Sequence, residues 1–313
     1  MGVFNENAIM GASAGGAEWV WSGEDYGYES GGYSTSNQVT KWTLASVNTA
    51  TLVGTLSYAR RGHGTGNSNT ANGFVFHMGG AGNTTRITKN TTASDTASND
   101  VGVTSQVHGD TGSSDSETHG YVWCGNDGNP KNIDKVAFVS GSSGTNVGNI
   151  DTVGRYGGSA QTGEDAIYFA GGYGTPTYHK NIQKKATSSD GDSTTHGTLS
   201  SYGSNQVDGV VGNSDIENGY GFAAGGHAYN SNIAKFAFAG TGVGSVSHGS
   251  LQTVRIRGVS CSTPTFGMYN GGSQTWATTL ISMRSYPFGA TSGETNWGAD
   301  LYTANALSNG MQA

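Results

Sequence analysis

Proline and cysteine are scarce, at 4 and 2 copies in 313 residues, and charged residues make up only 12% of the chain. Cys124 and Cys261 are too few to frame a disulfide-stapled fold of this length. They form at most one bridge, and two buried free thiols are the expectation. With so little proline and no G-X-Y period, the abundant glycine does not signal collagen. The Glu, Lys, Ala and Leu richness of a helical bundle is absent. No apolar run reaches the 18 residues or so that a membrane helix needs, so no membrane insertion is expected. The first residues, MGVFNENAIMGASAGG, show neither a basic region nor an apolar stretch, so no secretory signal is expected. Gly2 invites N-myristoylation, but Glu6 stands where that motif requires Ser or Thr. A net charge of -7 argues against a nucleic-acid partner, which selects basic faces.

What is there is glycine, at 53 residues, with Ser, Thr and Asn, and aromatics at 10% spread along the whole chain. The glycines are ordered. A doublet, or its equivalent, begins at Gly31, Gly79, Gly125, Gly171, Gly225 and Gly271, with spacings of 48, 46, 46, 54 and 46 residues. An Ile-x-Lys landmark follows, as Val39-Thr40-Lys41, Ile87-Thr88-Lys89, Ile133-Asp134-Lys135, Ile182-Gln183-Lys184 and Ile233-Ala234-Lys235. The sixth copy reads Ile281-Ser282-Met283 and loses the lysine. A third landmark is a glycine with an apolar residue two positions on, at Gly54, Gly148, Gly197 and Gly249, with Gly102 in the same slot.

Between landmarks lie runs of 4–7 residues rich in Tyr, Phe, Val, Ile and Thr, such as Phe74–Met78, Ile133–Val139 and Leu251–Ile256, separated by Gly, Asn and Ser. Strand-and-turn punctuation in units of roughly 40–50 residues is the signature of propeller blades. The chain is therefore expected to be all-β. We read residues 1–313 as a single six-bladed β-propeller with four-stranded antiparallel blades, its ring closed by pairing of N- and C-terminal strands.

The blades resemble kelch and galactose-oxidase central-domain propellers, and more closely the kelch-like repeat proteins of marine and cyanobacterial tailed phages. Tyr168-Phe169-Ala170-Gly171-Gly172-Tyr173, with Ile182 and Lys184, carries the resemblance, which spans residues 20–300. It implies a virion component, assembled in the host cytoplasm and released by lysis, whose partners are other virion proteins or a host surface glycan. A propeller hosts many functions, so the resemblance fixes fold more firmly than activity.

The recurring lysines, Lys41, Lys89, Lys135, Lys184 and Lys235, read as structural, because a residue repeated across five blades braces the blade rather than acting once. His196 and His248 fill a slot that elsewhere holds Val53, Val101, Val147 or Trp297, which marks packing rather than ligation. The other histidines show no metal-ligand spacing, so neither a metal nor a cofactor is expected. A copper-radical oxidase would need a cysteine beside a ligand tyrosine, and Cys124 reads instead as a strand residue. A sialidase-type arginine triad would fall to Arg60, Arg155 and Arg255, at one end of the channel. Tyr33, Tyr173, Tyr178, Tyr229 and Trp276 lie in the loops after the doublets. They either present aromatic surface to a sugar or protein partner or fold back over their blades. The extra length around Tyr202–Glu217 is where an added contact is expected. The sequence therefore favours a non-enzymatic docking disc of a virion, with a carbohydrate-binding adhesin as the alternative and a glycan-processing enzyme behind it.

Overall fold

The computed structural model describes residues 26–31, 36–46, 48–60, 65–69, 74–78, 85–91, 97–109, 112–116, 118–123, 131–139, 143–151, 159–163, 165–174, 177–203, 207–227, 230–275, 278–291, 295–301 and 309–312. Alternating apolar and polar residues bounded by glycine turns form strands, since period-two patterning gives a pleated sheet two apolar or mixed faces. The strands assemble, in chain order, into a β-propeller arrangement. Sheet one pairs Asn309–Gln312, Tyr26–Ser30, Ser36–Thr43 and Thr51–Arg60; sheet two pairs Thr65–Asn69, Phe74–Met78, Arg86–Thr91 and Asn99–Val103. Sheet three pairs Gly112–Asp115, His119–Trp123, Asn132–Ala137 and Thr145–Asn149. Sheet five pairs Val211–Asp215, Tyr220–Ala224, Asn232–Ala237 and Val246–Ser250; sheet six pairs Val259–Ser262, Phe266–Asn270, Ser282–Pro287 and Thr295–Asp300.

These are five four-stranded sheets where the sequence leads one to expect six. The unit between sheets three and five has five strands: Ser159–Thr162, Ala166–Ala170, Asn181–Ala186 and Thr194–Thr198 run antiparallel, and Val243–Gly244 adds in parallel at the outer edge. We call it sheet four. The added strand belongs to the loop before the last strand of sheet five, so the departure comes from a neighbour reaching across. Among the described residues there are also two short ribbons, Tyr173–Gly174 with Thr177–Tyr178 and Ser273–Thr275 with Thr278–Thr279, and one 3-10 turn, Ser200–Tyr202.

The core lies between sheets. In sheet four, Ile167 and Phe169 join Tyr121, Trp123 and Ile133 of sheet three, while Tyr168 and Ile182 face Phe236 of sheet five. Sheet five in turn packs Phe222 against Tyr286 and Phe288 of sheet six. Met268 and Met283 of sheet six share a cluster with Trp42 of sheet one. Sheets four, five and six thus bury both faces, which explains why a second strand such as Ala166–Ala170 is buried at every position.

The two kinds of recurring glycine have separate backbone causes. In the doublets, Gly172 N–H donates to Val207 O at 2.6 Å and Gly226 N–H to Arg255 O at 3.0 Å. The chain entering the next sheet therefore lies directly on the turn, and a Cβ at Gly225 would stand 2.5 Å from the Arg255 oxygen. The third-landmark glycines sit at β-bulges, where the register shifts opposite Ile182/Gln183 and Ile233/Ala234. There a Cβ on Gly148 would collide with the Gly191 carbonyl, and one on Gly197 with that of Val243. At each bulge a loop from the next sheet crosses the outer edge. Gly144 N–H bonds Val103 O at 2.8 Å, Gly191 N–H bonds Val147 O at 2.7 Å and Ser245 N–H bonds Thr198 O at 2.9 Å. Ala50 of sheet one does the same to Asp300 of sheet six at 3.0 Å. Open strand edges invite aggregation, and these loops cover them.

Three further expectations need correcting. The register pairs Asn270 with Met283 and Met268 with Ser285, as Ala170 pairs with Ile182 and Tyr168 with Lys184. The sixth landmark is therefore Met283-Arg284-Ser285, with Met283 fully buried and Ile281 at 40% exposure. Leu251–Ile256 is a crossover between sheets five and six, with one isolated bridge from Ile256 to Ser273. Within Tyr202–Glu217, Val211–Asp215 is the first strand of sheet five, as every unit requires. The longer spacing is shared between the ribbon-bearing loop of sheet four and the crossover that follows it.

Candidate functional site

Residues that recur are engaged within the fold. Each landmark lysine stands directly across a strand pair from an aromatic residue: Lys41 from Tyr28, Lys89 from Phe76, Lys135 from Tyr121, Lys184 from Tyr168 and Lys235 from Phe222. Lys41 Nζ lies 4.0 Å from the Tyr26 ring centre, and Lys235 Nζ 3.8 Å from that of Tyr220. Such cation–π contacts are worth about 0.5–1 kcal/mol at partly exposed sites. Lys135 instead reaches Asp190 of sheet four at 3.1 Å.

The bulge histidines are ties between sheets. His196 Nε2 donates to Ala237 O at 2.9 Å and His248 Nε2 to Pro287 O at 2.8 Å, each edge-on to an aromatic, Tyr168 or Phe222. Burial pulls the His248 imidazole below its ordinary pKa, although the Pro287 carbonyl opposes this. Arg255, expected at the channel end, is buried. Its guanidinium donates to Gly271 O and Ser282 O at 2.9 Å each, under the doublet turn of sheet six. Tyr202 occupies the corresponding place in sheet five, its hydroxyl 2.9 Å from Gly225 O and 3.1 Å from Ala223 O. The Arg60 side chain and all of Arg155 lie outside the described residues.

One buried polar group recurs in kind but not in identity. In sheet three, Asp134 accepts hydrogen bonds from Ser105 N–H at 2.7 Å and from His108 Nε2 at 3.0 Å. In sheet four, Gln183 accepts the Asp151 N–H at 2.6 Å from the equivalent strand position. Both tether the incoming crossover. Burial alone would raise the Asp134 carboxyl, but the bonds from His108 and Ser105 outweigh it and leave the pKa low. Cys261 is a free buried thiol, pushed up by desolvation; Cys124 lies outside the described residues.

A group of unrepeated side chains gathers on one face, where the doublet loops and crossovers of sheets four to six meet. Tyr173 and Tyr178 oppose each other across the ribbon of sheet four, ring centres 4.7 Å apart. Tyr178 stacks on His227 of sheet five at 5.7 Å and 10°. His227 Nδ1 is 3.8 Å from Asp208 Oδ1, and the His227 N–H donates to the Asp208 carbonyl at 2.9 Å. Burial raises the Asp208 carboxyl above its usual range against the pull of His227 and Arg257. Arg257 adopts φ 59°, the one non-glycine positive φ among the described residues. Its N–H donates to Gly209 O at 2.8 Å.

Of the loop aromatics expected from sequence, the structure brings Tyr173 and Tyr178 together, both half-buried; Tyr33, Tyr229 and Trp276 lie outside the described residues. The doublet glycines Gly79 and Gly125 lie outside them too. Asp208, His227 and Arg257 carry no repeat signature. Strand register puts Arg257 where sheet five has Gly209, at φ 64°, so a left-handed slot filled by arginine was the available signal. Among the described residues no three His, Cys, Asp or Glu side chains gather as metal ligands, and no helix is long and apolar enough to cross a membrane.

No protein-family model matches the chain, and no curated protein matches it either. Among solved structures, the chain is similar to YjhT, with a TM-score of 0.63 at 12% identity, covering 81% of this chain and 88% of that one. That likeness establishes a β-propeller fold.

Proposed function

We propose that this protein is a non-enzymatic docking disc of a tailed-phage particle, six blades closed into one ring, with the doublet-loop face of sheets four to six as its working surface. One observation supports the binding role: the landmark lysines and bulge histidines are engaged within and between sheets, whereas Tyr173, Tyr178, His227 and Asp208, which do not recur, meet on that face. The ring reading draws support from the first strands of the sheets, which neighbour one another in chain order, and from Asn309–Gln312, which lies beside the first strands of both sheet two and sheet six. The mixed cluster of Trp42 with Met268 and the Ala50–Asp300 bond add to it. The virion setting rests on the repeat resemblance and on a low-charge, Ser/Thr/Asn-rich composition.

Peptide mass spectrometry on gradient-purified particles from a lysate of the source tests the setting. Stoichiometric recovery with capsid and tail proteins is expected, and a chain left wholly in the soluble fraction sinks it. A carbohydrate-binding adhesin is the second reading, favoured by the Tyr173–Tyr178–His227 stack. The glycan-processing alternative is weakened by Arg255, whose guanidinium bonds backbone carbonyls where an arginine triad would need it open to substrate.

A further inference from the structure

We propose that crossover segment 207–209 is a pH-sensitive strap across sheets four to six, fastened while the Asp208 carboxyl is protonated and loosened when it ionises. The strap is a property of the backbone and holds whatever that face of the protein binds.

Three consecutive carbonyls fasten three successive units. Val207 O accepts from Gly172 N–H of the sheet-four doublet at 2.6 Å, and Asp208 O from His227 N–H of the sheet-five loop at 2.9 Å. Gly209 O accepts from Arg257 N–H, in the crossover into sheet six, at 2.8 Å. A shift of this one stretch of chain is therefore felt in all three sheets. The segment lies outside every described strand, so it can lift without breaking a ladder. Its last bond joins two left-handed residues, Gly209 at φ 64° and Arg257 at φ 59°, and the strain at the arginine favours release.

The middle residue supplies the trigger. Asp208 is 4% exposed, and its Oδ1 is buried without a hydrogen bond. A carboxylate placed there lacks the donors that would replace its water, whereas the protonated acid is cheaper to bury. The groups around it come from every neighbouring unit. His227 Nδ1 stands 3.8 Å away on the sheet-five loop, and the Arg257 side chain lies against Gly209. From sheet four, Tyr178 stacks on His227, and His179 N–H bonds Gly172 O. Tyr202, earlier in the same crossover, is buried and its hydroxyl pKa is raised, so it stays neutral. Burial outweighs the pull of His227 and Arg257 and raises the Asp208 carboxyl above its usual range. A carboxyl raised in the folded state adds stability that is complete below the unfolded value, about 3.9, and is lost as pH rises through the folded value. Lifting the strap rehydrates the carboxylate and relieves that loss locally.

Amide hydrogen exchange of the full-length protein, followed by NMR from about pH 4 to about pH 8 and corrected for intrinsic rates, tests the strap. The Gly172, His227 and Arg257 amides are expected to lose protection together as pH rises. Those of Gly144 and Gly191, which bond Val103 O and Val147 O on sheets two and three, should keep theirs. Asp208→Asn retains the shape without the charge. It is expected to hold the three amides protected throughout, and to raise the melting temperature more at about pH 8 than at about pH 4. Protection that does not change with pH in the parent overturns the strap, as does a loss shared equally by Gly144 and Gly191. A loss that persists in Asp208→Asn overturns the trigger and passes it to His227 or His179. If that variant does not fold, the carboxyl carbon shift of Asp208 in the parent decides: a titration that fails to coincide with the loss of protection overturns the proposal.

Discussion

Sheets five and six share one backbone plan and fill it with different chemistry. Under the doublet of sheet five stands the Tyr202 hydroxyl; under that of sheet six stands the Arg255 guanidinium. Opposite the second-strand residue, sheet five offers Lys235 to Phe222, while sheet six pairs Ser285 with Met268. At the left-handed position before the first strand, one has Gly209 and the other Arg257. A hydrogen-bond donor under the turn is kept whatever its identity, because buried carbonyls left unpaired are costly. The lysine–aromatic pair is dispensable, because it adds only a surface-weight contact. The left-handed position tolerates an arginine at a cost, and that cost needs a reason outside stability.

Substitutions that break the comparison should rank accordingly. Gly225→Ala, where a Cβ meets the Arg255 carbonyl at 2.5 Å, is expected to cost about 3 kcal/mol or more by denaturant titration. Gly219→Ala, with φ 72° but open space around it, should cost about 1 kcal/mol. Equal losses would mean that backbone angle, not the crossing chain, dictates the doublet. Tyr202→Phe should follow, at about 1–3 kcal/mol for the stranded carbonyls, with unchanged secondary structure. Arg257→Gly is expected to go the other way, raising stability by about 1 kcal/mol in the same titration while weakening any ligand bound on that face. The smallest effect is Lys235→Met, at about 0.5–1 kcal/mol in the same titration.

Acid should weaken the ties between sheets in two stages. His248 has a folded-state pKa below its unfolded one, so the unfolded chain takes up the proton first and stability falls as pH drops through the unfolded value near 6.5. Asp134, also depressed, contributes stability that is complete above about pH 4 and is lost as pH falls through its folded value. Melting temperature followed from pH 7 downward should show the first decline, and His248→Gln, which can still donate to Pro287, should reduce it.

Much of this fold was legible because its constraints are steric and repeat. A backbone crossing admits only glycine, so doublets and bulge glycines survive in the sequence while the side chains around them drift. The sixth landmark was misplaced by two residues because loop length is free where the ribbon forms. Counting from Gly271 found Ile281, whereas strand pairing selects Met283. Tyr173 and Tyr178 were visible as loop aromatics. Asp208, His227 and Arg257 were not, since each occurs once and acquires meaning only when three neighbouring sheets bring them within reach. Arg255 misled for the opposite reason: its near-equivalence to Arg60 and Arg155 hinted at a shared channel, while its role is local to one turn.

The strand Asn309–Gln312 fills the first position of the sheet that begins with Tyr26–Ser30. The earliest described strand must therefore wait for the last described one before its inner edge is paired. Until then sheet one presents an unpaired inner edge. Loop closure across nearly the whole chain makes this late and slow. Closure of that long loop, rather than the folding of any single unit, then times the completion of the sheet.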